Sequence, residues 1–234
     1  MGVLLLPRYR IRYSKEGAAK FISHLDMLRT FERVVRRAGI PVSFSQGFNP
    51  HPRFSFGFPL SVGVSGLEEY VDIDLDTAVS PEEVAQALDR AMPPGMKVTG
   101  ARPVEEGSPS LMASTERSAY VIRAYSRCSP ATGAGSLKGC LEGLLESQEI
   151  NVMRRKKDGR DIPFNIRPGL LHLSAREEEG AVVLEMDLIT SSSFNVRPQE
   201  VVAAITGRCG DFGQDSHLDI TRSRVLGHGG KDLF

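Results

Sequence analysis

Arginines supply the first chemistry legible in this 234-residue chain. Arg29, Arg33, Arg36 and Arg37 recur at helical spacing, and at 100° per residue they fall within an arc of about 100°. An apolar series, Met27, Leu28, Phe31, Val34, Val35 and Ala38, faces the other way. Guanidiniums on one exposed face can grip phosphates bidentately. A solvated amphipathic surface is the plainer reading, but acids are sparse in this stretch. Arg8, Arg10 and Arg12 alternate in the segment before it and so share one side of a strand.

The run from Gln46 to Pro59 joins Phe48, Asn49, His51, Arg53, Phe54 and Phe56 on a Gly- and Pro-rich loop. Aromatics, an amide, an imidazole and a guanidinium together suit stacking on unpaired bases and reading their edges. Gln46, Asn49, His51 and Arg53 are the candidate nucleotide contacts. The alternative is a structural loop whose phenylalanines plug the space between sheet and helices. A third basic cluster, Arg154, Arg155, Lys156 and Lys157, precedes an Asp158-Gly159 turn and would place cations at a hairpin tip. His24 and His51 are weak candidates for an acid–base pair in metal-independent RNA cleavage. His172, His217 and His228 lack metal-ligand spacing, and no metal or other cofactor is expected.

Overall charge hides this asymmetry. Lys and Arg number 29 against 29 Asp and Glu, which argues against a generic coat for polyanions. Residues 1–53 nevertheless hold 10 Lys/Arg and 3 Asp/Glu, whereas residues 54–108 hold 3 and 10. Cys128, Cys140 and Cys209 are widely spaced and contain no CxxC. Neither a zinc ribbon nor an iron–sulfur cluster motif is implied, and a reduced, cytoplasmic setting is expected. The start lacks a basic segment followed by a long apolar run, and no stretch approaches membrane length, so no membrane partner is expected.

The positioning elements follow from periodicity and punctuation. Alternation predicts strands over 8–14 and 69–76, and 41–46 and 96–104 read as two more. Ser23 and Ser80 are N-cap signals for helices ending near Ala38 and Met92. The order β-α-β-β-α-β predicts an α+β, ferredoxin-like module over residues 1–106. A linker is predicted over 107–116. The same order with an extra basic hairpin is predicted over 117–234, giving two tandem ferredoxin-like (βαββαβ) modules. Inside the second half FNIRP (164–168) is echoed by FNVRP (194–198), and the GHGG at 227–230 reads as a loose tail.

FISHLDMLR (21–29), RRAGIPV (36–42), SQGFNPHPR (45–53) and FSFG (54–57) resemble the radical SAM-linked protein family, a bacterial domain of unknown function. The likeness is specific across residues 8–75 and looser over 154–168. It implies a partner: members are fused to, or encoded beside, a cobalamin-binding radical SAM protein, near a ribonuclease of the E/G type and ribosomal-protein genes. The layout is also similar to CRISPR repeat-processing endoribonucleases, but their glycine-rich loop near the C-terminus is missing here. The expected function is an RNA-binding accessory protein working with a separate radical SAM enzyme in RNA modification or ribosome-related processing, without catalytic activity of its own. The alternatives are a protein-interaction adaptor for that partner without nucleic acid, and a metal-independent endoribonuclease.

Overall fold

A computed structural model describes residues 6–126, 134–156, 158–209, 212 and 216–234. The chain has a mixed α+β fold with a mostly antiparallel sheet. It divides into two compact units, Met1–Thr115 with Arg224–Phe234, and Glu116–Ser223.

In the first unit β1 (Arg8–Lys15) pairs with β3 (Ser65–Asp74) on one side and β4 (Met96–Pro103) on the other, and β2 (Phe54–Phe56) pairs with the far edge of β3. Helices α1 (His24–Ala38) and α2 (Pro81–Ala91) pack on one face. Tyr9, Ile11 and Tyr13 alternate onto that face and join Phe31, Val34, Val71, Ile73, Val84 and Leu88 in the core. Arg8, Arg10 and Arg12 must therefore point to the opposite face of the sheet. The α1 boundaries have local causes: Ser23 Oγ accepts from the Asp26 N–H at 3.3 Å, and Gly39 ends the helix at φ +67°. At α2, Ser80 and Glu83 form a reciprocal capping box, with Pro81 opening the helix.

The expected strand at 41–46 is where structure and sequence reading part. Residues 42–53 form a narrow hairpin held by isolated bridges, Val42 to Leu75 and Phe44 to Pro52. The ladder strand comes later, at β2, because Phe54 and Phe56 alternate into the core against Phe31. The stretch predicted as a linker instead contains the single turn α3 (Leu111–Ser114), whose Leu111 is fully buried with Tyr70, Val225 and Leu233.

In the second unit the strand order is β10-β5-β9-β8, from β10 (Ser216–Gly227), β5 (Thr115–Ser126), β9 (Ala181–Ile189) and β8 (Leu170–Glu178). Helices α4 (Ala134–Glu146) and α5 (Pro198–Cys209) are joined by a disulfide between Cys140 and Cys209. The expectation of reduced thiols did not anticipate this pairing. A separate hairpin, β6 (Asn151–Arg155) and β7 (Asp161–Asn165), is the extra basic hairpin. The echoed motifs pack on each other: Phe164 and Phe194 stack with centroids 5.2 Å apart, while Ile166 and Val196 are buried.

The second compact unit ends at Ser223, and the residues after it belong to the first. The GHGG segment is no loose tail. It leads to Leu233, whose carbonyl accepts from Arg10 at 2.9 Å and Arg102 at 2.6 Å, and to Phe234, stacked on Tyr70. Arg12 and Arg102 lie over the Phe234 ring at 4.5 and 5.5 Å. Gly100 leaves room for the ring, since a Cβ there would come within 2.8 Å of it.

Candidate functional site

Helix α1 buries Met27, Phe31, Val34 and Val35 and leaves Arg29, Arg33, Arg36 and Arg37 exposed. The four do not behave alike. Arg29 pairs with Asp26 at 3.3 Å, and Asp26 falls inside the same arc, so the face is less free of acids than its arginines suggest. The Ser23 hydroxyl, and then Arg29, hold the Asp26 carboxyl below its usual range. Arg37 Nη2 donates to the Ala91 carbonyl at 2.7 Å, closing the C-terminus of α2. Arg33 Nε reaches only the Arg29 carbonyl, at 3.2 Å. Among the described residues neither Arg33 nor Arg36 has a carboxylate at ion-pair distance, although Arg33 still acts on Asp26 through space.

The 42–53 hairpin stands beside this face. Its neck is closed twice: the Ser45 N–H donates to the His51 carbonyl at 2.8 Å, and the His51 N–H donates to Ser45 Oγ at 3.0 Å. His51 Nδ1 lies 3.5 Å from Glu32 Oε1. Glu32 sits between Arg29 and Arg36 along α1, so the hairpin meets the helix between those two arginines. Its tip carries Gln46, Gly47, Phe48, Asn49 and Pro50, all exposed, and the Phe48 ring is fully in solvent. Gly47 adopts φ +134°, which disfavours a side chain at that corner.

Of the predicted contacts, Arg29, Arg33, Arg36, Gln46, Asn49 and His51 therefore share one neighbourhood. Arg53 departs from it: its Nε lies 3.2 Å from Asp74, beside Arg8, whose Nε is 2.7 Å from the same carboxylate. Arg10 is buried and bidentate on Asp72 at 2.8 and 3.0 Å. The open face of the first sheet is thus occupied by ion pairs and by Leu233–Phe234, and among the described residues it offers no free stacking platform of the kind an RNA-binding sheet presents.

The second-unit cluster splits too. Arg154 is engaged within the fold: its Nε and Nη2 donate to Glu200 at 2.6 and 2.7 Å, Nη2 also donates to the Asn195 carbonyl, and its guanidinium lies 3.4 Å from the Phe164 centroid. Arg155 and Lys156 are exposed, and Lys157 lies outside the described residues. The echoed arginine Arg167 closes α4 by donating to the Leu145 carbonyl at 2.9 Å.

The two histidines do not form a catalytic pair. His24 meets Phe56 edge-on at 5.8 Å and lines a cavity of only 20 Å³ with Lys15 and Glu69. His51 contacts Glu32, about 12 Å further along the helix, and lines a different recess. Among the described residues no group of three or more His, Cys, Asp or Glu could hold a metal ion, and no helix is long and apolar enough to cross a membrane.

Phe48 was visible in the sequence, but nothing there separates it from Phe54 and Phe56. What separates them is structural: Phe54 and Phe56 meet Phe31 edge-on in the core, whereas Phe48 meets solvent.

Residues 8–198 match the family described as "Uncharacterized protein conserved in bacteria (DUF2344)". The chain belongs to that family. No curated protein matches it. Among solved structures it is similar to one described as "Crystal Structure of a Cbf5-Nop10-Gar1 Complex", at 10% identity and TM-score 0.45, over 93% of this chain and 48% of that one. It thus spans about half the length of that neighbour. It is also similar to an unknown protein from Galdieria sulphuraria, at 12% identity and TM-score 0.26, over 93% of this chain and 99% of that one. Likenesses this distant carry no argument about function.

Proposed function

We propose that this DUF2344 member is an RNA-binding accessory protein that works with a separate radical SAM enzyme, and that both of its units are ferredoxin-like. The strand orders support the fold reading: β4-β1-β3-β2 in the first unit and β10-β5-β9-β8 in the second are the same βαββαβ arrangement, with β6–β7 inserted after α4. The radical SAM partner rests on the sequence resemblance alone. One observation carries the RNA reading: Arg33 and Arg36, with no ion-pair partner among the described residues, stand beside a hairpin tip whose Phe48 ring is fully exposed. Cations there track phosphates while an aromatic accepts a base, the combination used on single-stranded or looped RNA.

Charge reversal tests it. Arg33→Glu/Arg36→Glu is expected to weaken binding of transfer RNA or ribosomal RNA fragments in fluorescence polarisation. The slope of log K against log salt should fall by about 1.4, two contacts at about 0.7 each. Affinity unchanged across the salt series would remove this face from the account.

A second reading has its own observation. Phe21 and Leu25 are 63% and 66% exposed at the start of the arginine face, which suits a protein adaptor docking directly on the radical SAM partner. Under it, Phe21→Ser/Leu25→Ser would abolish co-purification of that partner while the Arg33/Arg36 variant retained it.

A further inference from the structure

Where the hairpin returns past β1 and β3, a recess of 290 Å³ opens, lined by Arg8, Ser45, His51, Arg53, Ser55 and Asp74 among others. Its electrostatics are unequal. Arg8 and Arg53 converge on one buried carboxylate, Asp74, at 2.7 and 3.2 Å. One anion therefore fixes two cations and compensates one. Asp72 also lines the recess and acts on Arg8 through space, but both of its carboxylate oxygens are bonded to Arg10, so three guanidiniums face two carboxylates and one positive charge remains.

The remaining hydrogen-bond capacity is on the donor side. Arg8 meets Asp74 through Nε and, at 3.4 Å, Nη2, so its Nη1 has no partner among the described residues. Both terminal nitrogens of Arg53 are likewise without one. Ser45 Oγ accepts from the His51 N–H, which leaves the hydroxyl proton to donate outward. Ser55, opposite Asp72 in the ladder, has no side-chain partner among the described residues. Pro52 and Phe54 complete the lining with apolar surface.

We infer that this recess binds a phosphate monoester of about mononucleotide size. Two guanidiniums held at a shared carboxylate, with hydroxyls beside them, match the several oxygens of a phosphate and carry the excess charge it requires. The volume lies near the lower end of small-ligand sites, about 300 Å³. The inference does not rest on the RNA reading, because Arg33 and Arg36 are outside the lining.

Calorimetric titration of the full chain with adenosine 5′-monophosphate, adenosine, and an RNA pentamer with or without a 5′-phosphate tests it. Phosphate-bearing probes should bind at least about tenfold more tightly than their phosphate-free counterparts. Arg53→Gln and Arg8→Gln, which approach the recess from the hairpin and the strand and each remove its one excess charge, should each abolish that preference. Arg33→Glu/Arg36→Glu should leave mononucleotide binding within about twofold, which separates failure here from failure of the RNA proposal. Tighter binding of the phosphorylated pentamer identifies an RNA end as the source, and tighter binding of the monophosphate a free nucleotide. Equal binding of phosphorylated and unphosphorylated probes, no binding of either, or wild-type preference in both variants overturns the inference.

Discussion

Guanidiniums in this protein divide by what stands opposite them, and that division was only partly legible in residue order. Arg36 and Arg154 both sit in basic runs, yet Arg36 ends in solvent while Arg154 is clamped by Glu200, 46 positions away, and by the ring of Phe164. Neither partner could be inferred from spacing, because a salt bridge between β6 and the start of α5 exists only once both are placed. The energetic consequence separates the two. Arg154→Ala strips a largely buried carboxylate of its partner and should lower the unfolding free energy by about 2 kcal/mol. Arg36→Ala should stay within about 0.5 kcal/mol. Urea midpoints of the two variants check this, and equal shifts would show that the arginines had been wrongly sorted.

The elements were easier to read than their pairings. Ser23 and Ser80 as caps, Gly39 as a stop and the alternation of β1 all have local causes, and the structure places them as the sequence suggests. The hairpin at 42–53 was opaque because Gly, Pro and Phe crowd both its exposed tip and the start of β2. Only the contacts of Phe54 and Phe56 with Phe31 separate the two. The disulfide was opaque for another reason: Cys140 and Cys209 are 69 residues apart and meet only when α4 packs on α5. Closing a loop of that length restricts the unfolded chain by up to about 4 kcal/mol. Reduction should therefore lower the thermal midpoint of the second unit, while Cys140→Ser/Cys209→Ser should melt at the reduced midpoint and ignore reductant. A midpoint that is the same with and without reductant in the wild type would argue against this crosslink.

For the molecule as a whole, zero net charge conceals a partial cancellation. The basic excess of residues 1–53 and the acidic excess of 54–108 meet where Arg8 and Arg53 reach Asp74 and Arg10 reaches Asp72. Those carboxylates lie on β3, facing away from the helix layer, so the charge on α1 survives. The alternation of arginines with aromatics in β1 made this split readable in principle. The return of Arg224–Phe234 to the first unit was not, since it depends on contacts such as Leu233 with Arg10, 223 positions apart. The proposed function requires that α1 and the adjoining hairpin tip form one RNA-facing surface. Photocrosslinking of 4-thiouridine-substituted RNA to the full chain, followed by mass spectrometric mapping, tests it most directly. Crosslinks should fall within residues 46–51 and on α1 around Arg33 and Arg36, and Phe48→Ala should reduce them at least about fivefold, as expected for losing a stacked base. Crosslinks confined to other surfaces, or none above background, would contradict the claim.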